Sequence, residues 1–164
     1  MLIVRATRKL LDVVGPVDLS SDDHDTTVLG PWYATRMPWR MRVALLVSES
    51  TLLPVLMPLT PAASWRSRIA AQVAAVLAAH EVPTAFIQTE VQAMRERHLG
   101  PTASRRLVGV MNEFVHLAEV HRTHDSAPDL LALSMRLSTT PCSPLYARHV
   151  SPDRELAAAV QAHQ

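Results

Sequence analysis

A single cysteine, Cys142, stands in a chain of 164 residues, so an internal disulfide is excluded, which suits a reducing compartment. Aromatic residues make up only 4% of the chain, so the core has to be built from Leu, Val, Ala and Met. No charge of one sign dominates. A net charge of +1 gives no general pull toward nucleic acid or an anionic membrane. No uninterrupted apolar run reaches the ~20 residues that span a bilayer. Residues 1–30 lack the charged-then-apolar pattern of a signal peptide. Cytoplasmic residence, with no membrane partner, is the expectation by elimination. Lysine is nearly absent too: Lys9 is alone among fifteen arginines. Together with abundant Ala, Leu and Pro, that reads as codon bias from a GC-rich bacterial genome rather than selection for bidentate anion contacts.

Familiar catalytic signatures are missing as well. There is no P-loop, dinucleotide glycine fingerprint, nucleophile elbow or HExxH motif. No cofactor is implied. What remains is a chain with 48% apolar residues, long enough to bury an ordinary core.

Hydrophobic rhythm divides that chain. Leu2-Ile3-Val4 starts a strand, and Thr7 and Gly15 bracket a short helix over 8–14. Residues 18–25 gather four aspartates without periodicity and read as a loop; its spacing lacks the glycine and terminal glutamate of a calcium hand. Strands are expected at 29–36, 43–47 and 52–59, with a tight turn at Glu49-Ser50. Pro54 and Pro58 share parity, so 52–59 is expected at a sheet edge with its proline side outward and residues 53, 55 and 57 bonded inward.

Helical spacing follows. Thr60-Pro61 is expected to open a helix with Trp65, Ile69, Val73, Val76 and Leu77 on one face. Phe86, Ile87, Val91, Met94 and His98 continue at helical spacing until Gly100-Pro101. Thr102 or Ser104 caps a helix to about His124 with Leu107, Val110, Met111, Phe114 and Ala118 facing inward. Shorter helices are expected from Pro128-Asp129 and from Ser151-Pro152-Asp153, with 137–150 irregular. The pattern predicts one α+β domain over 1–164. A small antiparallel sheet of about four strands in residues 1–60 is packed by a helical half over 61–164.

The residues Met1-Leu2-Ile3-Val4-Arg5-Ala6-Thr7-Arg8-Lys9-Leu10-Leu11, Trp32-Tyr33-Ala34, Val43 to Glu49, and Thr102, Arg105, Gly109, Met111 and Asn112 form a recognisable series. The chain resembles the uncharacterised bacterial domain-of-unknown-function family 6933, whose members open M-(I/L)-I-x-x-T-x-K-L-L. The likeness spans most of residues 1–120. It implies a common fold and a bacterial source, and no activity.

Three constellations carry candidate chemistry. On the helix after Ser104, Arg105, Gly109, Asn112, His116 and Glu119 fall at offsets of four, three, four and three, one line opposite the apolar face. Gly109 costs such a helix about 1 kcal/mol relative to Ala, which suggests close approach of a backbone or ligand. Arg105 and Arg106 sit at the positive end of the helix dipole, where an anion or phosphate would offset them. Asn112 would bind alongside, with His116 and Glu119 as acid/base groups. A solvated face with intrahelical pairs accounts for the same stripe.

In the second constellation, Trp32, Tyr33, Arg36, Trp39, Arg40 and Arg42 mix rings with cations around one hairpin. That suits stacking on nucleic-acid bases, or rings packed on the sheet with arginines wetting its rim; packing is favoured. In the third, Cys142 precedes His149 by seven residues, with Tyr146 between, a poor signal for a nucleophile. Glu113-x-x-His116 supplies half of a di-iron motif without a second copy, and His116, His121 and His124 spread over more than one face, so no metal is assigned. The leading expectation is a non-enzymatic accessory or interaction module using the 32–42 hairpin and the helix stripe, with a protein partner or a second copy as its counterpart. A small enzyme or anion-binding protein comes second and a nucleic-acid binder third.

Overall fold

The computed structural model describes residues 1–122 and 128–164. Five strands form one sheet: β1 (Leu2–Ala6), β2 (Trp32–Arg36), β3 (Val43–Ser48), β4 (Pro54–Pro58) and β5 (Arg97–Pro101), in the order β4-β3-β2-β1-β5. Six α-helices accompany them among the described residues: α1 (Arg8–Val14), α2 (Trp65–Ala79), α3 (Thr84–Ala93), α4 (Arg105–His121), α5 (Leu130–Ser138) and α6 (Pro152–Ala162). The fold is α+β as expected. The sheet, however, is mixed: β2, β3 and β4 form an antiparallel meander, while β1 runs parallel to both β2 and β5.

The fifth strand corrects the reading of residues 86–98 as one helix. That helix stops at Ala93, and His98 stands in β5. Only Leu99 of β5 faces a core, so the segment carries no alternating signal of its own. It becomes a strand through its ladder to β1, ninety-odd residues earlier in the chain, from Leu2↔Arg97 to Ala6↔Pro101.

Alternation sends side chains of each strand to two separate cores. The first contains Leu2, Val4, Trp32, Leu46, Val55 and Leu99 under α1, α2, α3 and α6. The second contains Tyr33, Val43, Leu45, Val47 and Leu56 under α4 and α5. The buried faces of α2 and α4 are those the spacing predicts, Trp65, Ile69, Val73, Val76 and Leu77 on one, and Leu107, Val110, Met111, Phe114 and Ala118 on the other. Each fully buried side chain of this size contributes about 1.5–3 kcal/mol. The helix expected from Thr60-Pro61 starts later, as a single 3-10 turn at Ala62–Ser64 running into α2; Pro61 itself is extended.

Both sheet edges are closed. On β4 the outward positions are Pro54, Leu56 and Pro58. The prolines have no N–H, and the Leu56 N–H donates to the Ser134 hydroxyl of α5 at 2.8 Å. The inward side pairs with β3 between Ser48 N–H to Leu53 carbonyl (3.1 Å) and Leu59 N–H to Arg42 carbonyl (2.9 Å), as the proline parity requires. At β5 the Leu99 N–H donates to the Asp18 carboxylate at 2.7 Å, and the Leu99 carbonyl accepts from Asp18 and Leu19.

The aspartate loop is thus a fastening. Asp25 accepts the Ile3 N–H at 2.8 Å, and Asp23 accepts that of Ser20 at 2.8 Å. Burial works against the Asp18 charge, yet the Leu99 N–H and the Arg66 guanidinium 2.7 Å away hold its carboxyl below the ordinary value. No helix among the described residues is long and apolar enough to cross a membrane.

Candidate functional site

Ser104 caps α4 by accepting the Leu107 N–H at 3.3 Å, and the five buried apolar residues fix which face points outward. Arg105, Arg106, Gly109, Asn112, His116 and Glu119 are accordingly all exposed. Fourteen residues at 1.5 Å per residue separate Arg105 from Glu119 by about 21 Å, so no one small ligand reaches the whole stripe. Gly109 has open space where a Cβ would stand, and the close approach expected of it is not found.

The middle of the stripe faces a groove. Asn112, Glu113, His116 and Leu117 line one wall, Thr140, Pro141 and Cys142 the other, around about 450 Å³. This volume lies in the usual range of small-molecule sites, roughly 300–1,000 Å³. Its walls come from α4 and from the turn after α5, which Asp129 starts by capping the Ala132 N–H at 3.0 Å. Cys142 is buried at the groove's base, with its thiol toward the Thr140 carbonyl at 3.5 Å. Burial, and then the Glu113 charge, push the thiol up to about 11. Its sequence neighbour His149 turns elsewhere, with Nδ1 2.7 Å from the buried Glu155 carboxylate, which Arg148 also engages. Cys142 and His149 therefore do not form the nucleophile–base pair that their spacing raised.

The C-terminal end of the stripe meets the hairpin. Glu119 accepts a hydrogen bond from the Trp39 indole N–H. Arg122 lies 4.7 Å from the centre of the Trp39 ring and 3.2 Å from Glu119, a closed triad of cation, ring and carboxylate. Glu119 thus holds the Trp39 indole and the Arg122 guanidinium at this end of the stripe. Trp32 and Tyr33 point to opposite faces of β2 and are 0% and 3% exposed, and Trp39 is 6% exposed. None of the three rings is open to a base, which removes the stacking surface on which a nucleic-acid reading of the hairpin rested. Arg40 and Arg42 are exposed at the rim and Arg36 is half-buried.

His116 and His121 do not converge: His121 lines a separate cleft of about 230 Å³ with Arg122, Asp129 and Arg136. His124 lies outside the described residues. Among the described residues no three His, Cys, Asp or Glu side chains gather as a metal site. Another cavity of about 290 Å³, beside His80 and Asp153, separates the end of α2 from α6, and burial holds His80 below its ordinary pKa.

Two buried carboxylates escaped sequence reasoning. Glu155 is the anchor just described. Glu90, on α3, is 0% exposed and accepts the N–H groups of Val28 (2.8 Å) and Leu29 (3.0 Å). Burial raises its pKa against those two bonds. A glutamate at helical spacing among apolar residues was the available signal, since an inward glutamate needs a partner.

A family model described as Domain of unknown function (DUF6933) matches residues 3–155, a span that runs past residue 120 into α6. No curated protein matches the chain, and no solved structure does.

Proposed function

We propose that this chain, which belongs to the DUF6933 family, is a non-enzymatic accessory module that works by binding, and that the groove between α4 and Thr140–Cys142 is where it binds. One observation carries this reading: two residues singled out for their place on the helix, Asn112 and His116, stand together at an apolar groove of about 450 Å³. The ligand class is a small organic molecule with an apolar body against Leu117 and Pro141. Its polar end would be a donor or cation meeting the Glu113 carboxylate, the Asn112 amide and the His116 imidazole. A binding role is favoured over catalysis because neighbouring reactive groups are occupied: the Cys142 thiol is buried and protonated, His149 is held by Glu155, and Glu119 by Trp39 and Arg122.

A fragment screen followed by amide chemical shifts tests the reading. Amphipathic amines and amides are expected to move the signals of residues 112–117 and 140–142, and to lose at least tenfold in affinity in the Asn112→Ala/His116→Ala variant while its melting temperature stays put. Fragments that bind elsewhere, or bind the double variant equally well, would refute it.

A further inference from the structure

We propose a second binding site, for a small organic ammonium ion, in the cavity of about 290 Å³ between the turn that ends α2 and the helix α6, with His80, Glu81 and Asp153 as its polar groups. It is independent of the groove along α4.

Two turns of the chain build the cavity. Beyond Ala79, α2 ends in a Schellman motif: the Val82 N–H donates to the Leu77 carbonyl at 3.1 Å, and the Glu81 N–H to the Ala78 carbonyl at 2.9 Å. The motif needs one left-handed residue, and Glu81 supplies it at φ 60. Glycine would close the turn without strain. Glutamate instead places an exposed carboxylate side chain in the cavity wall. Opposite it, Asp153 in the first turn of α6 lines the other side. One Asp153 oxygen accepts the Ser151 hydroxyl and the Arg154 N–H; the second has no hydrogen-bond partner among the described residues.

His80 is an independent observation. It lines the same cavity, and its Nε2 is buried with no hydrogen-bond partner among the described residues. Buried polar atoms are nearly always hydrogen-bonded in folded proteins, so this nitrogen has bonding capacity left over. Burial holds the ring below its ordinary pKa against the opposing pull of the Asp153 charge, so at neutral pH it is an uncharged imidazole.

The lining names the ligand. No lysine or arginine lines the cavity, and neither Glu81 nor Asp153 forms an ion pair among the described residues. The C-terminal end of α2 adds negative partial charge on one side, and Asp153 itself offsets the positive start of α6 on the other. A cation that brings several N–H donors therefore meets acceptors on both walls. The remaining wall is apolar, from Pro83 and from Leu156 and Val160, which also pack in the first core. That suits an ammonium group on a short aliphatic body better than a bare metal ion. Among the described residues no three ligating side chains gather to hold such an ion. The cavity falls just short of the roughly 300 Å³ at which small-molecule sites begin, which limits the ligand to a small one.

The probe is n-butylammonium chloride, titrated into the full chain at neutral pH and fixed ionic strength. Sodium butyrate, with the opposite charge on a like body, and magnesium chloride are parallel arms. Amide signals of residues 80–82 and 153–161 are expected to shift and saturate with butylammonium alone. Asp153→Asn keeps an accepting oxygen and removes the charge, and is expected to weaken butylammonium about tenfold. Glu81→Gly is expected to weaken it by a similar factor while raising the melting temperature, because glycine relieves the left-handed backbone; lost affinity is thereby separated from lost folding. The α4 groove is read separately at residues 112–117, whose response both variants leave unchanged. Shifts that never saturate, equal saturation by butyrate or magnesium, or wild-type affinity in both variants would overturn the proposal.

Discussion

On one face of the sheet, α1, α2, α3 and α6 close over residues from all five strands; on the other, α4 and α5 cover β2, β3 and β4 and leave Arg5 of β1 and His98 of β5 half-exposed. The closed face uses a fully buried carboxylate, Glu90, to hold backbone N–H groups. The partly covered face is where the apolar groove beside Asn112, His116 and Cys142 opens. On the closed face the Trp32 and Trp65 indole N–H groups are buried without a partner among the described residues, so complete cover does not by itself satisfy every polar group.

Four measurements would break or sharpen this contrast. If the thinner cover is nonetheless a true core, Phe114→Ala should cost about 3–5 kcal/mol in chemical denaturation, as much as any truncation on the closed face. A cost under 1 kcal/mol would mean that α4 is loosely attached. Glu90→Gln tests the closed face. It replaces one accepting oxygen with a donor facing two N–H groups and should cost roughly 2 kcal/mol. Its pH dependence has a definite sign. A carboxyl whose folded pKa is raised contributes its full stability below the unfolded value near 4.5 and loses part of it as pH rises through the folded value. The gap between wild type and Glu90→Gln should therefore narrow from pH 4 to pH 7, and a widening gap would contradict burial as the dominant cause. Ser134→Ala strands the Leu56 N–H and should cost about 1–2 kcal/mol. Smallest, and opposite in sign, Gly109→Ala on the open outer side of α4 should stabilise by about 1 kcal/mol, since nothing lies within 4 Å of the added methyl. Destabilisation there would contradict the open space beside Gly109.

Much of the fold was legible because it is local. The inward faces of α2 and α4 follow from 3.6-residue spacing, and the exposed side of β4 follows from two prolines two pleats apart. What was illegible depends on distant pairing. Arg97-His98-Leu99-Gly100-Pro101 has one core-facing apolar residue and becomes a strand only beside β1. The parallel course of β1 is likewise set by a crossover through α1 and the aspartate loop, whose carboxylates fasten it to Ile3 and Leu99. For the site, periodicity placed Asn112, His116 and Glu119 on one line correctly. It could not show that the line passes two separate neighbours, Pro141 in the middle and Trp39 at the C-terminal end.

The fastened margins of the sheet have a consequence for how this molecule meets others. Pro54, Pro58 and Pro101 offer no hydrogen, and the hydrogens of Leu56 and Leu99 are already given to Ser134 and Asp18. A neighbour's strand arriving at either flank finds almost nothing to bind, so growth into fibres and recruitment by strand addition are both discouraged. Away from those flanks, the grooves of the molecule lie between and beside its helices, the one of about 450 Å³ along α4 among them.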